Sequence, residues 1–82
     1  MNKSDLSDVV VEALTHYGGK ASIIDVCKFT WIRYEKELRS SVDLFYTWQY
    51  DIRRAATDLR KERIMFSAKE SSLGIWELKE KE

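Results

Sequence analysis

Proline is missing from this 82-residue chain, and glycine occurs only at positions 18, 19 and 74. Breaks between elements must therefore come from those glycines and from clusters of serine and aspartate. A single cysteine, Cys27, excludes an internal disulfide and fits a reducing compartment. No stretch approaches the ~20 apolar residues of a membrane span, and the leading MNKSDLSD has no apolar core of a secretion signal. The expectation is a cytoplasmic protein with no membrane contact. Net charge is also absent, with 14 basic residues against 14 acidic ones, which argues against a strong non-specific nucleic-acid binder. The one histidine, His16, has no partner at metal or triad spacing, and the glycines form no phosphate loop. No catalytic site, metal, cofactor or small-molecule ligand is expected.

What remains is a chain suited to one small domain over residues 1–82, with 44% hydrophobic and 34% charged residues. Its charge is unevenly spread. Residues 20–63 hold ten basic and seven acidic side chains, whereas both ends lean acidic. A first helix is predicted over about 5–17, with Ser4 as its cap and Leu6, Val9, Val10, Ala13, Leu14 and Tyr17 as its apolar stripe. Gly18-Gly19 ends it. Lys20-Ala21 reads as a short extended piece, and Ser22 caps a second helix over about 22–38. On that helix Ile23, Cys27, Thr30, Trp31 and Tyr34 share a face, which makes Cys27 an inert core thiol.

The segment RSSVDLF reads as a polar break that folds over Phe29 and Ile32 and buries them. A third helix then starts near residue 44 or 47 and ends near 63. The tail changes period, and IMFSA and GIWELK suggest strands over about 64–68 and 74–79 around the turn KESSLG. The fold class expected is α+β: a winged helix-turn-helix of three helices plus a C-terminal two-stranded hairpin wing. Lys20-Ala21 would add a third short strand, because a hairpin alone is marginal. Trp31, Trp48 and Trp76, one from each of three elements, are expected in the core. The closing KEKE reads as a frayed end.

The third helix carries the functional question. At about 100° per residue, Trp48, Ile52, Ala55 and Leu59 fall within ~40° of one line and form its core stripe. The opposite side holds Tyr46, Tyr50, Arg53, Arg54, Thr57 and Lys61, with Gln49 beside them. Asp51, Asp58 and Glu62 lie on the flanks, within reach of arginines three or four positions away. Arginine can bond guanine edges bidentately, glutamine can pair with adenine, threonine and tyrosine can bond phosphates, and lysine neutralises them. The competing reading is that Arg and Lys are simply good helix formers on a wet surface. Outward tyrosines weigh against it, since exposed aromatics mark contact surfaces.

The arginine-bearing helix with Arg53, Ala55 and Leu59 in R-x-A-x-x-x-L spacing is followed by apolar Ile64, Met65 and Phe66. A polar turn comes next, and then a G-x-W-x-L close at Gly74, Trp76 and Leu78. This half of the chain resembles the winged helix-turn-helix family of small bacterial and phage proteins, which also forms the N-terminal domain of Mrr-type restriction endonucleases. The resemblance implies binding of double-stranded DNA through the third helix and the wing, as in a small transcriptional regulator or DNA-associated accessory protein. It places Tyr46, Gln49, Tyr50, Arg53, Arg54, Thr57, Lys61 and the wing's Lys69 at the DNA. The chain departs from the endonucleases in ending at Glu82, with no nuclease domain expected, and its wing, Lys69-Glu70-Ser71-Ser72, is less basic than a strong phosphate contact needs. The second expectation is a protein-interaction or homodimerisation module of the same fold, which zero net charge favours and in which Tyr and Arg serve equally well.

Overall fold

The structure is a computed structural model that describes residues 1–79. It is a small α+β domain of three helices and a two-stranded antiparallel sheet. The elements follow one another as α1 (Asp5–His16), β1 (Lys20–Ser22), α2 (Ile23–Ser40), α3 (Val42–Lys61) and β2 (Ile75–Glu77). Among the described residues no helix is long and apolar enough to cross a membrane. The KEKE tail lies, from residue 80 on, outside the described residues.

The apolar stripes fill the core as periodicity dictates. Leu6, Val10, Ala13 and Leu14 of α1 meet Leu44, Trp48, Ile52, Ala55 and Leu59 of α3, with Met65 and Trp76 closing the bottom. The cap of α1 differs from expectation. Ser4 is itself helical and makes no side-chain cap bond. Asn2 does the capping, its Oδ1 accepting from the Ser4 and Asp5 amides at 3.0 and 3.3 Å. At the other end, Gly18 (φ 84°) lets the Gly19 amide reach the Leu14 carbonyl at 2.7 Å, which closes the helix. Ser22 caps α2 by accepting the Asp25 amide at 3.0 Å.

The polar break is smaller than expected. Only Ser41 leaves the helical region, at φ −102° and ψ 98°, and Val42 to Phe45 already belong to α3. With no glycine or proline in RSSVDLF, one extended residue suffices to turn the chain. Leu44 is therefore buried and Phe45 lies against Trp31, while nothing folds over Ile32, which is 81% exposed. Phe29 is half-buried, its ring 5.1 Å from His16 and 6.4 Å from Tyr17. The expected burial of this pair thus fails at Ile32, because its cover was helix and not loop.

The buried residues of α2 are Val26, Thr30 and Leu38, and Thr30 alone of these belongs to the predicted face. Ile23, Cys27, Trp31 and Tyr34 are left only half-buried. A kink at Tyr34 (φ −120°, ψ 16°) interrupts this helix. There the Tyr34 hydroxyl donates to Glu12 of α1, and Arg33 Nε donates to the same carboxylate at 3.0 Å. The bond to Glu12 holds the Tyr34 phenol above its ordinary pKa, so it stays protonated.

The sheet is arranged differently from the expected hairpin. Its ladder joins β1 to β2, with Ala21 opposite Trp76. The segment predicted as the strand 64–68 contributes a single bridge, Met65 to Leu78, flanked by Phe66 N–H to Glu77 O and Lys79 N–H to Ile64 O, both 2.9 Å. Ser67 stops the strand. Its carbonyl accepts the amides of Glu70 and Ser71 at 3.1 Å, and its own amide donates to the Glu70 carboxylate. Such local bonds compete with a ladder and win here.

Candidate nucleic-acid interface

Every residue predicted to meet DNA on the third helix is exposed. Tyr46, Gln49, Tyr50, Arg53, Arg54, Thr57 and Lys61 are all on the solvent side of α3, whose opposite side is the core stripe. Tyr46 and Tyr50 are 79% and 63% exposed. The Phe45 and Tyr46 rings meet in a T-shaped contact, with 5.1 Å between their centroids.

The electrostatics of the face depend on what the carboxylates do. The expected pairing of Asp51, Asp58 and Glu62 with arginines on the same helix does not occur. Ion pairs among the described residues are Lys3 with Asp51, Arg33 with Glu12 and Arg39 with Glu35. Asp51 is buried, not a solvated flank residue. Thr47 Oγ1 donates to it at 2.7 Å, and Lys3 Nζ lies 3.9 Å from its other oxygen. Arg53, Arg54 and Lys61 are left with no carboxylate within ion-pair distance among the described residues.

The face has two distinct edges. Toward α1, Tyr50, Arg54 and Lys61 share a shallow hollow with Lys3, Asp58 and Glu62. The signs there are mixed. Toward α2, Gln49 and Arg53 border a groove that also takes in Lys28. Neither Lys3 nor Lys28 was marked by the sequence as part of such a surface. Each comes from a different element, and only the packing of α1 and α2 on α3 brings them alongside.

Lys69 is exposed in the loop between Phe66 and β2, away from both hollows. Glu70 beside it is fixed by the Ser67 amide at 3.1 Å, which holds its carboxyl below the usual carboxylate range. Lys69 and Glu70 are thus neighbours of opposite formal charge in the sequence. The loop is further tied at its base, where the Ile23 amide donates to the Gly74 carbonyl at 3.0 Å.

Cys27 is half-buried between α2 and α3, and burial pushes its thiol up against the opposing influence of Arg53. It is a poor nucleophile at neutral pH. His16 ends α1 as an exposed residue beside Tyr17 and Phe29, where its charge would suit the helix dipole. Comparison with protein-family models, curated proteins and solved structures finds no match for this chain.

Proposed function

We propose that this domain is a winged helix-turn-helix that binds double-stranded DNA with α3 in the major groove. The observation that carries the reading is the outward side of α3: two exposed tyrosines and three basic side chains on one line, with no carboxylate paired to them among the described residues. The sheet supports it as well. The 75–79 segment bonds to residues 19–22 on one side and to 64–66 on the other, the strand order that leaves residues 67–74 as a wing.

Length divides the work along the helix. From Tyr46 to Lys61 the rise is about 22 Å at 1.5 Å per residue, roughly twice the ~12 Å width of the major groove. The centre of the face, Tyr50, Arg53, Arg54 and Thr57, therefore meets base edges, while Tyr46 and Lys61 reach the flanking phosphates. The neutral wing adds little. So few cationic contacts make a monomer a weak binder, and two copies on a palindromic site would strengthen it.

The test is fluorescence anisotropy of a mixed-sequence duplex titrated with the protein. If Arg53, Arg54 and Lys61 each displace one condensed counterion from the duplex, the log–log salt slope is about −2.7, so affinity should fall about 40-fold between about 50 and about 200 mM salt. Absence of binding at both salts, up to high micromolar protein, would reject the reading.

A further inference from the structure

Residues four apart on α2 form rows along the helix. Ile23, Cys27 and Trp31 make one row, half-buried, and Ile24, Lys28 and Ile32 make the next, facing solvent. The outer row is not what a solvated helix edge requires, because Ile24 is 67% and Ile32 81% exposed. Opposite these rows stand Phe45, Gln49 and Arg53 of α3, and together the two helices wall a groove. Its floor is aromatic: the Trp31 ring stacks on Trp48 at 6.0 Å and 12°. The Arg39 guanidinium lies 5.1 Å from the Trp31 ring and 5.6 Å from Phe45.

Charge in the groove has one sign. Lys28 and Arg53 line it, and among the described residues no carboxylate does. Neither cation has a carboxylate within ion-pair distance among the described residues. This decides between occupants. A second copy packing groove to groove would bring two Lys28 and two Arg53 side chains together with no acid between them, a like-charge arrangement that costs binding energy. A phosphate backbone would satisfy the cations but leave Ile24 and Ile32 against a charged surface. An occupant with large apolar side chains and acidic flanks satisfies both. The outer row spans about 12 Å from Ile24 to Ile32, which matches the reach of anchors at i, i+4 and i+7 on a docking helix.

We propose that the α2–α3 groove docks an acidic amphipathic helix from a partner protein. Its apolar anchors sit against Ile24, Ile32 and the Trp31 ring, and its carboxylates face Lys28 and Arg53. The proposal does not depend on DNA binding, since its anchoring isoleucines are on α2 and off the outward line of α3.

Two synthetic helical peptides test it, each of about 15 residues with leucines at i, i+4 and i+7, one flanked by glutamate and one by lysine. Each is titrated into the isotope-labelled full chain and followed by amide and indole N–H shifts. The glutamate peptide should give saturable shifts at Ile24, Lys28, Ile32 and Trp31, with an affinity about tenfold above that of the lysine peptide. Ile32→Glu and Lys28→Glu should each weaken it about tenfold. Both positions are exposed, so the melting temperature of the two variants should not move. Equal affinity for the two peptides, or no saturable shift up to millimolar peptide, overturns the proposal. So does self-association abolished by Ile32→Glu, which would make a second copy the occupant, or the same shifts produced by a DNA duplex instead of the peptide.

Discussion

On its inward side α3 presents Trp48, Ile52, Ala55 and Leu59, none more than 7% exposed; half a turn away, Tyr46 and Tyr50 are 79% and 63% exposed. The two sides obey different demands. Every inward residue is accounted for by burial, which is worth about 1.5–3 kcal/mol for each large aliphatic side chain. Nothing in folding accounts for the outward tyrosines, since alanine, glutamate or lysine would favour the helix at least as well there. A residue type that the fold does not need, held on the same side as arginines unpaired among the described residues, is what the proposed contact surface rests on.

Substitution across the helix tests the contrast most strongly. Ile52 is fully buried, so Ile52→Ala should cost about 2–5 kcal/mol of unfolding free energy in a denaturant melt. Tyr50→Ala should stay within about 0.5 kcal/mol of the parent while weakening duplex binding. If Tyr50→Ala destabilises the protein as much as the core change, the outward face is structural and the contrast collapses. Next in size, Arg54→Glu with Lys61→Glu should lower duplex affinity by about 2 kcal/mol, roughly thirtyfold, with thermal stability unaltered. Unchanged binding in this double variant would sink the DNA reading.

Much of the inward side was legible from sequence, and the reason is periodicity. Trp48, Ile52, Ala55 and Leu59 recur at helical spacing, and burial follows from that alone. Features set by interaction between elements were not legible. Asp51 looked like a flank residue, yet Lys3 and Thr47 hold it inside. On α2 the burial of Val26 and Leu38 and the kink at Tyr34, with its clasp by Glu12, depend on where α1 lies. Cys27 and Trp31 stay half-buried and line a groove, and Ile32 is left in solvent because the segment expected to cover it is part of α3. The candidate contact residues on α3 were visible as a row, whereas Lys3 and Lys28 beside them became visible only in three dimensions.

The ends of α1 and α3 sharpen the comparison on a smaller scale. Both close with the same pair of bonds: Gly19 N–H to Leu14 O and Gly18 N–H to Thr15 O in one, Ile64 N–H to Leu59 O and Arg63 N–H to Arg60 O in the other. Gly18 takes the left-handed position at φ 84° without strain, whereas Arg63 takes it at φ 62°. A side chain there opposes the following carbonyl. Arg63→Gly should therefore stabilise the protein by about 0.5–1 kcal/mol in a thermal melt. No gain would mean that the exposed Arg63 side chain offsets its own backbone strain through contacts along its length.

The smallest effects belong to the loop between Phe66 and β2, the proposed wing, and they follow from one carboxylate. Glu70 accepts the Ser67 amide, and this bond holds its pKa below the ordinary value of about 4.3. A depressed acid stabilises the folded turn at pH above its unfolded pKa, and that stabilisation disappears as pH falls through the lowered folded value. The Ser67 amide resonance should therefore shift with a midpoint below that of a free glutamate, and Glu70→Gln should abolish the transition. A midpoint at the free value would mean that the carboxylate does not hold the turn. Near neutral pH the same ionised group cancels Lys69, so Lys69→Ala should lower duplex affinity by no more than about threefold at moderate salt. Glu70→Gln should raise it by a similar factor, because it leaves Lys69 uncompensated at the tip. A loss much larger than threefold in Lys69→Ala would move the centre of binding from α3 to the wing.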